Sequence, residues 1–232
     1  MRHLAPAELR PWHSSRMSEV NDFFAAITGG DQDRVRELLD SSPDLLSETA
    51  ADGASAALTA LYHGHPALAD ELAARAGELS VFEAAAFEDI GRLQDLIALD
   101  PELVHSWSAD GWQPLHLAAY FGRTEAARLL LDADAPVNQF SRNDIAVQPL
   151  HAATAGQHSE IVWLLVASDA PVDSAQQQGW TPLHSASHNA DLESIRALRS
   201  AGANPSLTND EGLTALDLAP TDSVRHLLLD GS

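Results

Sequence analysis

Three stretches of the second half of the chain carry apolar residues at helical spacing and then break. They are RTEAARLLLDADAPVN (123–138), HSEIVWLLVASDAPVD (158–173) and DLESIRALRSAGANPS (191–206). Apolar positions separated by three and four residues predict amphipathic helices, each followed by a turn. Pro136, Pro171 and Pro205 stand just beyond these helices, where a ring without an N–H prevents their continuation. A second, shorter apolar pattern precedes each of them: DGWQPLHLAAYFGR (110–123), VQPLHAATAGQH (147–158) and GWTPLHSASHNA (179–190). Each predicts a short helix opened by a proline at its first position, where the missing N–H would be unpaired anyway. The chain therefore reads as helix pairs separated by turns, an all-α organisation.

The helix pairs recur. A Gly-like position follows the first helix of each unit at Gly30, Gly64, Glu88, Gly122, Gln157 and Ala190, with spacings of 34, 24, 34, 35 and 33 residues. The motif T/Q-P-L-H-x-A-A/S/T stands at Gln113–Ala119, Gln148–Thr154 and Thr181–Ser187. Period and motif together resemble the ankyrin-repeat family. The likeness runs from about Ser18 to Asp230 and is strongest from Asp110 to Leu207.

The resemblance implies an ankyrin solenoid of stacked helix–turn–helix units with β-turn or hairpin fingers, about six or seven repeats including degenerate caps. The corresponding boundaries are an N-terminal cap over 18–50, repeats over 51–78, 79–108, 109–141, 142–174 and 175–207, and a C-terminal cap over 208–232, together making one domain over 17–232. Residues 1–16 read as a disordered extension, since they carry two prolines and several charges and lack the apolar core of a secretory signal. Ten residues are missing between Gly64 and Glu88, which predicts a clipped turn without a projecting finger. Two extra residues near SRNDIA predict a longer finger in the following part of the array. The final unit, DEGLTALDLAPTDSVRHLLLDGS, shortens the link between its two helices.

By the same resemblance, Leu115, Leu150 and Leu183 fill the space between neighbouring units. His116, His151 and His184 bond turn backbone and tie one repeat to the next, a role suited to a ring that donates and accepts at once. Thr181 and Thr214 cap helices through their hydroxyls, and Gln113 and Gln148, standing in for Thr, predict weaker caps. Family members bind partners along fingertips and the inner, concave face of the first helices. The matching positions in this chain hold Trp112, Val147 and Trp180 at the tips, and Tyr62, Phe87, Tyr120, Phe121 and His188 after the Ala pairs. Trp and Tyr are the types most enriched at binding hot spots. The alternative is that these aromatics pack on the neighbouring repeat.

Composition narrows the classes. The net charge is −21, and all 13 basic residues are Arg. Such a chain repels phosphate backbones and anionic membranes and favours partners with a basic surface. Cysteine is absent, which excludes disulfides, a thiolate nucleophile and a Cys-based zinc site and fits a cytoplasmic protein. No stretch is apolar enough to span a membrane. The pairs His184/His188 and His63/His65 lack the third ligand a metal needs, and no phosphate-binding loop or nucleophile elbow occurs. The expectation is a monomeric, non-catalytic protein-binding module without cofactor or metal. A regulatory subunit that occludes a partner enzyme is the alternative, and a small hydrolase built on the scaffold is the more distant one.

Overall fold

A computed structural model of the chain describes residues 10–229. Thirteen α-helices lie among them, and no strand beyond two isolated bridges, Thr49 with Ser55 and Thr208 with Thr214. Six helix pairs follow one another: α1 (Arg10–Thr28) with α2 (Gln32–Ser41), α3 (Ala56–Tyr62) with α4 (Pro66–Ala76), α5 (Val81–Phe87) with α6 (Ile90–Leu99), α7 (Pro114–Tyr120) with α8 (Thr124–Asp132), α9 (Pro149–Ala155) with α10 (Ser159–Ala167), and α11 (Pro182–His188) with α12 (Leu192–Ser200). A single helix, α13 (Asp222–Leu229), closes the described chain. No helix among the described residues is long and apolar enough to cross a membrane.

Each pair folds for local reasons. Pro114, Pro149 and Pro182 stand at the first position of α7, α9 and α11. Asp31, Asp89 and Asp191 cap α2, α6 and α12 by accepting the N–H of Arg34, Arg92 and Ser194 at 3.0, 3.0 and 3.1 Å. Between the two helices of a pair the chain turns through the left-handed region. The six Gly-like positions of the sequence all have positive φ: Gly30 69°, Gly64 75°, Glu88 60°, Gly122 70°, Gln157 60° and Ala190 53°.

The chain divides into two compact units between Leu79 and Ser80. The division falls in the link from α4 to α5, residues 77–80, where the expected finger is missing. Ser80 instead caps α5 in a reciprocal arrangement: its hydroxyl accepts the Glu83 N–H at 3.3 Å and its own N–H donates to Glu83 Oε2 at 3.0 Å. In the first unit α1 packs on α2 and α3, and α3 on α4. Phe23, Ile27, Leu45, Leu68 and Leu72 are fully buried there. In the second unit α5, α7, α9 and α11 pack in one row, while α6, α8, α10, α12 and α13 pack in another. Leu115, Leu150 and Leu183 are buried, as expected, and buried alanines such as Ala118, Ala119 and Ala153 allow close helix approach.

Two expectations change. Of the extension over 1–16, residues 1–9 lie outside the described residues, and α1 already begins at Arg10. Arg16 pairs with Asp44 and Glu48, each at 2.8 Å. The closing unit does not hold two helices. Its first element is a single turn, in which the Leu218 N–H donates to Thr214 O at 3.3 Å and the Asp217 carboxylate takes the Thr214 N–H at 2.9 Å and its hydroxyl at 2.6 Å. Pro220 follows at once and forbids elongation.

Candidate functional site

The second unit projects four fingers, 108–112, 141–147, 176–180 and 209–213. Each closes on itself by a backbone bond: Ser108 N–H to Trp112 O at 2.8 Å, Ser141 to Val147 at 2.8 Å, Gln176 to Trp180 at 2.8 Å and Asn209 to Leu213 at 2.9 Å. The second finger is longer by two residues, as the SRNDIA insertion predicts. Adjacent fingers are also bonded to one another. Arg142 N–H donates to Gly111 O at 2.8 Å, Gln177 Nε2 donates to Asp144 O, and Asp210 N–H donates to Gln178 O at 2.9 Å. The Arg142 guanidinium lies 4.2 Å over the Trp107 ring, a cation–π contact.

The repeated histidines fix these fingers from below. The Nε2–H of His116 is shared between Gln139 O at 3.0 Å and Val147 O at 3.1 Å, that of His151 donates to Ser174 O at 2.9 Å, and that of His184 to Leu213 O at 3.0 Å. A carbonyl only accepts, so each ring carries its proton on Nε2. Nδ1 is then an acceptor. In His184 it takes the Thr181 hydroxyl at 2.8 Å and N–H at 3.1 Å, and in His151 the Gln148 N–H at 3.3 Å. In His116 it has no partner. Thr181 therefore serves its helix through the imidazole rather than by accepting a backbone N–H. Gln113 and Gln148 make no side-chain cap, in line with the sequence reading, and each turns its amide N–H to a carbonyl of the preceding link instead: His105 O at 3.1 Å and Asn138 O at 2.7 Å. Burial pushes the His116 and His151 rings down to about 4, against the opposing pull of the carbonyls they bond, and His184 moves in the same direction for the same reason. At neutral pH all three are uncharged.

A second set of bridges was not visible in the sequence. The residue that opens a second helix reaches back to a carbonyl two positions before the left-handed turn of the preceding repeat. His65 Nε2–H donates to Thr28 O at 3.0 Å, Arg123 Nε–H to Ala86 O at 2.7 Å and His158 Nε2–H to Tyr120 O at 3.1 Å. Asn189 Nδ2–H, two positions earlier in its unit, reaches Ala155 O at 3.3 Å. The partners are 34 to 38 residues apart, and the donors differ in type, so no local pattern announces them. The recurrence of His directly before α4 and α10 is the signal that could have found two of them.

The sequence-predicted binding residues divide by burial. Trp112 and Val147 are buried, each 6% exposed. The Trp112 ring packs against His116 and Tyr120, with centroids at 5.9 and 6.1 Å. Tyr62, Phe87, Phe121 and Trp180 are half-buried, and Tyr120 and His188 are exposed. Tyr120 and Phe121 meet edge-to-face at 5.0 Å, and Trp180 meets His188 edge-to-face at 5.7 Å. Tyr62 belongs to the first unit, the rest to the second. Phe140, just before the long finger, and Ile145 within it are also exposed, and the sequence reading did not single them out. Trp163, on α10, is exposed among the second helices.

One open groove of about 360 Å³ lies in the second unit, lined by Gln176, Gln177, Gln178, Trp180, His188 and Asn189, with the small Ala155 and Ser185 completing it. Another, of about 610 Å³, lies in the first unit and is lined by Phe24, Thr28, Ala50, Asp52, Thr59 and His63 among others. The first has no carboxylate in its lining. The second brings Asp52, Thr59 and His63 into one lining, with the hydroxyl and the carboxylate bonded to backbone. The Thr59 hydroxyl donates to Ser55 O at 2.9 Å and Asp52 Oδ1 accepts the Ala54 N–H at 3.0 Å. No group of three or more His, Asp or Glu placed to hold a metal occurs among the described residues. His184 is turned to Thr181 and Leu213, and His188 to Trp180, so the pair does not converge.

Helix pairs, left-handed turns, finger ladder and bridging histidines define the class. A family model of ankyrin repeats matches three overlapping stretches, residues 23–141, 81–174 and 150–231, and the chain belongs to the ankyrin-repeat family. Over 54 residues it is also 43% identical to BCL-6 corepressor-like protein 1 of Homo sapiens. That stretch is 23% of this chain and 3% of the relative, so the chain spans a small fraction of the length of the curated relative it matches. Ankyrin repeats indicate a protein–protein interaction module.

Proposed function

We propose that this protein binds a partner protein, without catalysis, along the finger edge and first-helix ends of its second unit, the concave side of an ankyrin array. The observation that carries the reading is the ladder of bonds between fingers, which preforms an edge beside an open groove. A surface already ordered loses little entropy on docking. Exposed Tyr120 and His188, with half-buried Phe121 and Trp180, supply amphipathic contact area of the kind that dominates binding energy. The excess of carboxylates favours encounter with basic partners. In the groove that holds Asp52, Thr59 and His63, the hydroxyl and the carboxylate are bonded to backbone, which favours the non-catalytic reading.

The test is capture of partners from a native extract by the intact chain and by a Tyr120→Ala/His188→Ala variant. Both side chains are exposed, so helix content stays unchanged. Recovery of the partner falls markedly in the variant; undiminished recovery would show that binding occurs elsewhere.

A further inference from the structure

The groove of the second unit is chemically lopsided. Its lining carries amides, an indole and an imidazole and no charged carboxylate or guanidinium. Carboxylates stand instead on the two fingers flanking it. On one side Gln177 Nε2 donates to Asp144 O, which holds the Asp144 finger against the glutamine run. On the other, Asp210 N–H donates to Gln178 O, and Asp210 Oδ1 lies 2.8 Å from where a Cβ on Gly179 would sit, directly before Trp180. Asp144 and Asp210 are both exposed, and among the described residues neither carboxylate is in an ion pair. The two flanking fingers carry Asp144, Asp210 and Glu211, all exposed, against one cation, Arg142, which lies over Trp107. Like charges gathered without counter-charges favour a cation from elsewhere.

We infer that the groove receives an arginine side chain from an extended segment of the partner protein, its guanidinium on the Trp180 indole and its charge met by Asp144 and Asp210. The inference rests on the reading of this edge as the docking surface and names what it recognises. A planar guanidinium stacks on an aromatic face and offers several donors at once, which suits an indole beside two separate carboxylates better than an ammonium does. The Gln176–Gln178 amides supply donors and acceptors for the backbone on either side of that arginine. Ala155, where the preceding repeat has Tyr120, leaves the room.

The probe is a fluorescein-labelled dodecapeptide of three Gly-Ser-Arg-Leu repeats, compared with the same peptide carrying citrulline or lysine in place of arginine, by anisotropy at low salt. The arginine peptide binds more tightly than the lysine peptide, and the citrulline peptide, isosteric but neutral, binds on the order of tenfold more weakly. Asp144→Asn/Asp210→Asn weakens the arginine peptide by a similar factor. A charge-matched control on the second helices, Asp132→Asn/Glu160→Gln, leaves it unchanged. Equal weakening by both double variants would mean diffuse attraction to an acidic chain and would overturn the site, as would absence of binding, or equal binding of the citrulline or lysine peptide. If Tyr120→Ala/His188→Ala abolishes partner capture while Asp144→Asn/Asp210→Asn leaves it intact, the docking surface stands and the arginine pocket falls.

Discussion

The two units solve the same stacking problem with different chemistry. In the second, three repeats carry the Pro-Leu-His set, and each buried imidazole holds backbone of the link that follows it through a neutral hydrogen bond, His116 and His184 reaching into the next repeat. In the first, the equivalent stretch is Ser55-Ala56-Ala57-Leu58, with no buried imidazole in that place. Its elements are joined at the surface by arginine, Arg34 to Asp22 at 2.5 Å, Arg36 to Glu71 at 2.7 Å, and Arg16 to Asp44 and Glu48, while Arg34–Glu37 at 2.7 Å and Arg75–Glu71 at 3.0 Å lie within α2 and α4. The Arg36 hydrogen bonds hold the Glu71 carboxyl below its usual range, with the charges of Arg36 and Arg75 adding to that, and Asp22 and Glu37 raise the Arg34 guanidinium. Exposed pairs contribute little each and are screened by salt, whereas a buried bridge is insensitive to salt and costly to break. The units should therefore respond to different perturbations.

The largest expected effect is Leu150→Ala, which opens a cavity among the packed repeats of the second unit and should cost about 2–5 kcal/mol. Stacked repeats are coupled to their neighbours, so the loss spreads beyond α9. Four of the five tryptophans lie after residue 100, so guanidinium denaturation followed by tryptophan fluorescence reports this unit. An unchanged midpoint would contradict the stacking.

Acid comes next. His116 and His151 titrate near 4 when folded and near 6.5 when unfolded. Below about 6.5 the unfolded chain takes up protons that the folded chain refuses, so stability is full above that value and is lost as pH falls toward 4. By pH 5 the loss is roughly 2 kcal/mol per imidazole. Hydrogen exchange at pH 7 and pH 5 should show the second unit loosening first. A uniform response of both units would remove the contrast.

A smaller gain is expected from Gln113→Thr. The His116 Nδ1 is buried without a partner, while the same atom in His184 receives a threonine hydroxyl. Supplying that hydroxyl and removing the unpartnered Gln113 Oε1, at the loss of the Gln113–His105 bond, should raise stability by at most about 1 kcal/mol, read from the same denaturation curves. The smallest effect belongs to the first unit. Glu71→Gln removes the shared partner of Arg36 and Arg75 and should lower its protection against hydrogen exchange only slightly. Added salt should act in the same direction in the parent chain and have a smaller effect in the variant, where the Arg34 and Arg16 pairs remain to be screened.

Much of this was legible in the sequence because it follows from local rules. The left-handed turn positions are set by helix length, including the three filled by Glu88, Gln157 and Ala190 rather than glycine. The missing finger and the lengthened one follow from residue counts. The histidine bridges came from resemblance, and the geometry bears them out. What stayed hidden depends on contacts that the apolar pattern and the residue counts do not announce. Trp112 occupies a tip position yet is buried, because its own repeat supplies His116 and Tyr120 to cover it. The first helix of the closing unit shrinks to one turn because the Thr214–Asp217 bonds satisfy its start and Pro220 stops its growth. The back-reaching bridges join chemically different donors over 34 to 38 residues.

Those bridges also decide which residue the preceding turn tolerates. A Cβ on Gly30 would fall 2.6 Å from the His65 ring, and one on Gly122 would fall 2.5 Å from the His158 ring. Before Arg123 and Asp191, neither of which lays a ring across the turn, the same position accepts Glu88 and Gln157 despite the left-handed backbone. A histidine chosen in one repeat thus dictates a glycine in its predecessor. Repeats transplanted singly into another array would carry half of such a pair, and the unit of exchange that preserves both is the seam between two repeats.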